Sequence, residues 1–157
     1  MPSTISLRAV TDADLPIFYE QQLDPDATRM AAFPSRERTA FMAHWANKVL
    51  VNPTGMVRTI VWAGQVAGNV VSWEQEGDQL VGYWLGKAYW GKGIATTALQ
   101  LFLHAVTVRP LYAHVAKHNV GSIRVLEKCG FIRNGEALAI LDDASEPIIE
   151  VLLKLEA

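Results

Sequence analysis

The sequence predicts an α/β domain built on a mixed, mostly antiparallel sheet of about seven strands, flanked by about four helices. Half of the 157 residues are hydrophobic and 19% are charged, which suits one compact domain over residues 1–157. Three β-rich runs follow one another in the middle of the chain, and the segments on both sides alternate between strand and helix periodicity. These observations together indicate one sheet with helices packed on it.

The N-terminal part predicts one strand and two helices. Residues 5–9 alternate as a short strand does, and Asp12 or Asp14 is suited to cap the helix that follows. Asp24-Pro25-Asp26 is typical of a break in the chain. A longer helix is expected from Ser35 to Val49, because its apolar residues recur at helical spacing.

The middle of the chain predicts an antiparallel meander. Its β-rich runs are residues 56–62, 66–74 and 79–85. The intervening turns Ala63-Gly64-Gln65 and Glu76-Gly77-Asp78 are short enough for hairpins.

The C-terminal part begins with a β-α-β-α unit. A helix over residues 94–106 follows the third run and ends before Arg109-Pro110. A strand over 111–115 and a helix over 120–128 come next, with Gly130 as a natural C-terminal cap.

Two final strands complete the predicted sheet. They cover residues 131–140 and 148–155, and Asp142-Asp143-Ala144-Ser145 is expected to form the turn between them.

Charge and cysteine content argue against several classes of protein. The 14 basic and 16 acidic residues give a net charge of −2 without a basic run, so neither nucleic acid nor an anionic membrane is an expected partner. The N-terminus resembles neither a signal peptide nor a membrane span, which favours a cytoplasmic protein. Cys129 is the only cysteine, so an intramolecular disulfide and a thiolate zinc cluster are excluded, and no metal is expected.

A glycine-bearing turn between a strand and a helix is the segment that indicates chemistry. It runs from Tyr83 to Thr96, with Gly91 and Gly93 just before the helix. Glycines at these positions let backbone N–H groups and the positive helix end face an anion. We therefore expect a ligand that carries phosphate or pyrophosphate.

Counting positions separates three phosphate-binding motifs. A P-loop fits from Gly86 to Lys92, but Gly93 stands where a hydroxyl is required. A dinucleotide fingerprint fails because Thr96 occupies the last glycine position. The third motif, [QR]-x-x-G-x-[GA], is matched by Trp90 to Ala95 except at its first position.

That third motif belongs to the GNAT acetyltransferases, which this sequence resembles. The segment from Gly82 to Thr96 is similar to the branch of RimJ- and RimL-type N-terminal acetyltransferases. The run from Asn119 to Phe131 resembles the second signature of that branch, and the predicted order of elements agrees along nearly the whole chain.

The resemblance implies how acetyl-CoA is bound. The backbone of Leu85 would pair with pantetheine where two strands splay apart, and Asn119 would touch the coenzyme arm. The residues whose amides would hold the pyrophosphate are Gly91, Lys92, Gly93, Ile94, Ala95 and Thr96. The charge of Lys92 would add to this site.

The resemblance also suggests where protons are handled. The position five residues before Asn119, often glutamate in enzymes that modify protein N-termini, is His114, a residue type that titrates near neutral pH. His114 is equally well explained as a histidine that is simply packed on a strand. Many members of the family have, at the position of Leu126, a tyrosine that acts as an acid for the leaving thiolate. The resemblance suggests Ser122 as its substitute, although a serine near a helix start is also an ordinary capping or surface residue.

Other candidates have ordinary structural explanations beside the functional ones. Glu74 is a second candidate for the base, because it lies near a hairpin that could border the substrate cleft. Exposed turns are, however, commonly acidic for solubility alone. Trp84 and Trp90 suit either the cleft wall or the core, and Cys129 suits packing better than catalysis.

The predicted function is transfer of an acetyl group from acetyl-CoA, the cosubstrate, to an amine acceptor by direct attack in a ternary complex. The acceptor is a small-molecule amine or a protein N-terminus, and both a monomer and a homodimer remain open. Two rival functions are a non-catalytic acyl-CoA sensor and a phosphate-binding interaction protein. Turnover would separate the first rival from an enzyme, and competition with ATP would expose the second.

Overall fold

The computed structural model describes residues 4–32, 35–139 and 147–156. Seven strands form one sheet in the order β1-β2-β3-β4-β5-β7-β6. The strands are β1 (Ile5–Arg8), β2 (Met56–Trp62), β3 (Gln65–Gln75), β4 (Asp78–Leu85), β5 (Leu111–Ala116), β6 (Ile132–Ala139) and β7 (Ile148–Leu155). Every neighbouring pair is antiparallel except β4 and β5. The predicted mixed, mostly antiparallel sheet is therefore confirmed.

Five α-helices accompany the sheet within the described ranges, where about four were predicted. They are α1 (Asp14–Gln22), α2 (Pro25–Ala31), α3 (Arg38–His44), α4 (Ile94–Ala105) and α5 (Val120–Lys128). A π-helical turn, Trp45–Val49, continues α3, and a short 3₁₀ helix, Lys87–Tyr89, follows β4.

Helix α2 occupies the segment that was predicted as a break. The Asp24 carboxylate accepts hydrogen bonds from the backbone N–H groups of Asp26 and Ala27, at 2.8 and 3.2 Å. Pro25 takes the first helical position, where its missing N–H costs nothing. Helix α1 does end before this segment, at Gln22, as the predicted break requires, but α2 was not predicted, because Asp followed by Pro can also begin a new helix.

Two other helix starts differ from the expectation. Ala13, without a side-chain cap, precedes α1, while Asp14 is its first residue and accepts hydrogen bonds from outside the helix. Helix α3 begins at Arg38 rather than Ser35, and the Glu37 carboxylate caps it by accepting from the N–H of Ala40.

The two faces of the sheet carry different helices. Helices α4 and α5 bury Leu99, Phe102 and Leu126 in the main core, against strand residues such as Val70. Helices α1 and α3 bury Phe18, Phe41 and the adjoining Trp45 in a second cluster, against Val57, Val66 and Val71. Val70 and Val71 are consecutive residues of β3, so their side chains point to opposite faces. The sheet is thus covered on both sides.

Strands β4 and β5 separate soon after they meet. Their parallel pairing covers only Gln79 with Leu111 and Leu80 with Tyr112. Beyond these two pairs β4 stays with β3 as far as Leu85, and β5 stays with β7. A gap therefore opens near the middle of the sheet.

The C-terminal strands agree with the predicted pair where they are described. Gly130 follows α5 with a φ of 99°, and the N–H of Phe131 donates to the carbonyl of Leu126, as in a glycine-capped helix end. Strand β6 ends at Ala139. Ile140 and the predicted turn at 142–145 lie outside the described residues.

Candidate active site

The turn before α4 has the backbone geometry that an anion site requires. Gly91 and Gly93 have φ values of 73° and 77°, and a Cβ built on either would meet nothing within 4 Å. Gly93 is the N-cap of the 12-residue α4, and no side chain caps this end. The first N–H groups of the helix, including those of Ile94 and Ala95, therefore have no acceptor within the helix. They remain available to an anion.

Trp90 explains the departure from the expected glutamine or arginine at the first motif position. Its indole N–H donates to the carbonyl of Leu85 at 2.9 Å, which joins the end of β4 to the glycine turn. The Leu85 carbonyl retains a second lone pair. Trp90 and Trp84 also form part of the wall of a groove that begins at this turn.

Lys92 and Thr96 lie away from this groove in the described structure. The Lys92 ammonium sits over the ring of Trp62, 5.7 Å from its centroid. The Thr96 carbonyl lies 3.6 Å from Cys129 Sγ, which packs α5 against α4. The predicted direct charge of Lys92 on the site is not seen, because its side chain lies against the aromatic surface beside the turn.

The groove, of about 270 Å³, leads from the glycine turn into the gap beyond the β4–β5 pairing. Helix α2 and the start of α5 form its other walls. The residues that line it are Ala27, Met30, Ala31, Tyr83, Trp84, Leu85, Trp90, Gly91, Ala95, Asn119, Gly121, Ser122 and Val125. A groove with an uncapped helix N-terminus at one end and a largely apolar wall suits a long ligand with an anionic head.

A smaller cavity of about 130 Å³ adjoins the groove. Tyr83, Asn119 and Ser122 border both spaces. His114 and Glu150 border only the smaller one. The shared residues therefore stand at the junction where two ligands could meet.

Three polar residues at this junction are linked by hydrogen bonds. Asn119 is the N-cap of α5, and its Oδ1 accepts from the backbone N–H of Ser122 at 3.3 Å. The Ser122 Oγ accepts from the Tyr83 hydroxyl at 3.0 Å. Asn119 rather than Ser122 caps the helix, so the capping explanation for Ser122 was wrong. Burial raises the pKa of the Tyr83 phenol above its usual value, and the phenol stays protonated at neutral pH.

The structure separates the two candidate bases. His114 is exposed on β5 and borders the smaller cavity, so it is not a packed histidine. Glu74 pairs with Gln79 on β4 and lines neither cavity. It lies two residues along β3 from Ser72, the partner of the cavity residue Val81, or about 7 Å at strand spacing. The role of base predicted for Glu74 therefore has no support in the geometry.

Helix α2 spans the two sides of the gap. Near its start the Asp26 carboxylate pairs with the ammonium of Lys87, just beyond β4. Towards its end the carbonyl of Arg29 lies 2.7 Å from Nε2 of His118, just beyond β5. Helix α2 is therefore fastened on both sides of the groove that it walls.

Comparison with known proteins identifies the family. The sequence profile of the acetyltransferase (GNAT) domain matches residues 4–132. The chain belongs to the GNAT acetyltransferase family. A probable N-acetyltransferase, YjcK, of Bacillus subtilis (strain 168) is 44% identical over 61 residues, a segment covering 36% of this chain and 34% of that protein.

Solved structures agree with the GNAT fold. Spermidine N-acetyltransferase from Vibrio cholerae, in complex with CoA and spermine, has a TM-score of 0.82 at 18% identity, covering 97% of this chain and 95% of that chain. Aminoglycoside acetyltransferase AAC(6')-Ib with coenzyme A has a TM-score of 0.77 at 18% identity, covering 95% and 94%. A GNAT acetyltransferase from Bacillus anthracis has a TM-score of 0.79 at 18% identity, covering 99% and 96%. At such identities these likenesses establish the fold.

Several residues of this GNAT site were not predicted from the sequence. Tyr83 follows the alternation of β4 and carries no separate signal, and Glu150 reaches the site only through the pairing of β7 with β5. The α2 residues Ala27 and Met30 were missed with their helix. A helix-start signal at Asp24-Pro25 was the one clue available.

Two further findings concern the described ranges as a whole. Within residues 4–32, 35–139 and 147–156, no group of three or more histidine, cysteine, aspartate or glutamate residues is arranged to hold a metal ion. No helix in this part of the chain is long and apolar enough to cross a membrane.

Proposed function

We propose that this protein transfers the acetyl group of acetyl-CoA to a primary amine by direct attack in a ternary complex. The observation that carries the proposal is the groove opened by the divergence of β4 and β5. One end of this groove is the glycine turn, and the other is the polar junction of Tyr83, Asn119 and Ser122. Membership of the GNAT family supports the acetyltransferase chemistry.

The residues present fit coenzyme A. The uncapped N-terminus of α4 and the open space above Gly91 and Gly93 suit a pyrophosphate held by backbone N–H groups. The strand edge at Leu85, where β5 has already separated, suits an amide-bearing arm. Asn119 borders the groove, although its Oδ1 already accepts one hydrogen bond from α5. In this proposal Lys92, Ile94 and Thr96 contribute backbone N–H groups only, because none of the three lines the groove, the Lys92 ammonium lies over Trp62 and Ile94 is buried in the core.

The reaction needs a neutral amine and a partner for the leaving sulfur. The amine nitrogen attacks the thioester carbonyl carbon, the C–S bond breaks, and the electron pair of that bond goes to sulfur. The amine loses one proton and the thiolate gains one, so the reaction is balanced without a covalent enzyme intermediate. His114 borders the smaller cavity and is our proposed acceptor of the amine proton, directly or through water.

The smaller cavity is our proposed acceptor site. Glu150 is the one acidic residue among the described residues that line the two cavities. It pairs with Ala116 on β5, two positions beyond His114, so both side chains lie on the same face of the sheet. A carboxylate at this place favours a cationic amine. The Vibrio cholerae relative is bound to spermine, which is consistent with such an acceptor.

The finer assignments rest on the sequence. The residues of the two motifs resemble those of the RimJ- and RimL-like branch. We therefore propose a protein N-terminus as an acceptor, in addition to small amines. A cytoplasmic location is proposed from the composition of the N-terminal residues, which resemble neither a signal peptide nor a membrane span. The alternative function is a non-catalytic acyl-CoA sensor, because Leu126 offers no acid to the leaving thiolate.

Thermal denaturation with acetyl-CoA, followed by turnover measurements, tests the proposal. A ligand selective for the native state adds about 2.7 kcal/mol at about 100 times its dissociation constant, so acetyl-CoA should raise the melting temperature and ATP should not compete. Release of free CoA thiol is then measured with spermidine, an aminoglycoside, free amino acids and short peptides. Absence of any thermal shift at millimolar acetyl-CoA would refute the coenzyme assignment. A shift without turnover on every amine would favour the sensor.

A further inference from the structure

The hydrogen bond between Tyr83 and Ser122 joins opposite walls of the site. Tyr83 lies on β4 and Ser122 lies in the first turn of α5, 39 residues later, with their oxygens 3.0 Å apart. Both residues border the groove and the smaller cavity. The pair therefore lies where, on the proposed function, the thioester meets the amine.

The Tyr83–Ser122 pair has two hydroxyl hydrogens, and one of them, that of Ser122, is available to a ligand. A phenol is a stronger acid than an alkyl alcohol, so we assign Tyr83 as the donor and Ser122 as the acceptor of this hydrogen bond. A serine hydroxyl has one hydrogen and two lone pairs. Among the described residues, no acceptor is hydrogen-bonded to the Ser122 hydrogen. That hydrogen is therefore free to point into the cavity.

The backbone around Ser122 is fixed as well. Asn119 caps α5 by accepting from the N–H of Ser122, so the Ser122 hydroxyl is not used as the cap. Leu126, one helical turn further and buried, has no proton to offer. The hydroxyl donors aimed at this junction are consequently Ser122 and, behind it, Tyr83.

We propose that Tyr83 is a positioning residue for acetyl transfer, an inference that rests on the proposed function. Its hydrogen bond orients Ser122 so that the Ser122 hydroxyl donates to the sulfur as the C–S bond breaks and negative charge builds there. No proton needs to leave either oxygen, because the proton lost by the amine balances the one gained by the thiolate. The energetic contribution comes from a donor that is already in place when the charge develops.

The protonation state of Tyr83 agrees with this role. Burial holds its phenol neutral well above neutral pH, so it remains a donor throughout the working range. A phenol that ionised easily would lose the hydrogen that orients Ser122.

The test compares Tyr83→Phe, Ser122→Ala and the double variant, with Tyr112→Phe as the matched control on β5, away from both cavities. The acceptor is spermidine, or whichever amine of the panel the wild type acetylates fastest. Tyr83→Phe should lower kcat about 10-fold or more while the Kd for acetyl-CoA stays within about twofold. The double variant should be no slower than Ser122→Ala, because the two residues act as a unit. Tyr112→Phe should match the wild type.

A purely structural role gives a different pattern. Tyr83→Phe would then lower the melting temperature and leave kcat unchanged, which overturns the inference. Losses that multiply in the double variant would also overturn it, because Tyr83 would then act independently of Ser122. If the wild type itself releases no CoA thiol with any amine, the proposed function fails and this inference fails with it. Turnover by the wild type with an unaffected Tyr83→Phe variant refutes the inference alone.

Discussion

Arg8 and Asp14 join the first strand to the first helix by two parallel hydrogen bonds. The guanidinium Nη1 and Nη2 of Arg8 lie 2.6 and 2.8 Å from the two carboxylate oxygens of Asp14. The same carboxylate accepts from the Thr11 N–H at 2.9 Å and from the Thr59 hydroxyl on β2 at 2.8 Å. Asp14 is 1% exposed, and these partners hold the pKa of its carboxyl far below the usual range, with the Arg8 hydrogen bonds as the largest cause.

Asp14→Asn should destabilise the fold by about 1–2 kcal/mol at pH 7, because it replaces a buried carboxylate that accepts from Arg8, Thr11 and Thr59, although solvent screens the half-exposed Arg8. The pKa is lower in the folded state than in the unfolded state. The stabilisation is therefore complete above the ordinary aspartate pKa of about 3.9 and is lost as pH falls below it. Urea denaturation at pH 7 and pH 3 measures both effects.

Asp12→Asn is the control for this carboxylate, because Asp12 is an exposed neighbour. It should leave the free energy of unfolding near the wild-type value at pH 7. Equal stability of the two variants would show that the Arg8–Asp14 pair contributes nothing.

Gly93→Val should weaken coenzyme A binding at least 10-fold while the domain stays folded. Its side chain would enter the open space where a phosphate must approach the backbone. Valine at a positive φ is strained at any position, so Gly77→Val in the β3–β4 turn, where φ is 86°, is the matched control. Calorimetric titration with coenzyme A and circular dichroism compare them. Equal affinities of the two folded variants would mean that the turn holds no phosphate.

His114→Ala should lower kcat about 10²-fold or more near neutral pH with little change in the Kd for acetyl-CoA. The defect should shrink as pH rises, because an acceptor amine that is already neutral needs no base. His104→Ala is the control, since His104 is exposed on the last turn of α4 and lines neither cavity. The measurement is kcat against pH at saturating acetyl-CoA. Profiles parallel to wild type within about threefold would remove His114 from the mechanism.

The fold was largely predictable because its signals are local. The β2–β3–β4 meander follows from short turns between β-rich runs, and α4 follows from the periodic spacing of Ala98, Leu99 and Phe102. Helix α2 was missed because an aspartate before proline both interrupts chains and begins helices, and seven residues give too little periodicity to decide.

The site was predictable only where a motif marks it. The glycines at 91 and 93 predict an anion site from the sequence alone, whereas Tyr83 and Glu150 reach the cavities only through long-range strand pairing. The contact of Tyr83 with Ser122 depends on how β4 and α5 approach across the gap, and no local pattern encodes that distance. Trp90 was predicted as cleft wall or core, but its hydrogen bond to Leu85 depends on the path of the turn in three dimensions, which no sequence pattern specifies.

The two fastenings of α2 have a consequence for the rate at which ligands enter. Lys87 meets Asp26, and His118 meets the carbonyl of Arg29, by contacts at the solvent-exposed surface. The Lys87–Asp26 ion pair is exposed, so it adds little to stability and is weakened by salt, and the contact of His118 is a single exposed hydrogen bond. Detaching this short helix therefore requires no global unfolding, and we expect it to open by local fluctuation far more often than the core does. We therefore expect a ligand to enter and leave the groove faster at high ionic strength than at low ionic strength, because salt weakens a contact that holds α2 over the groove.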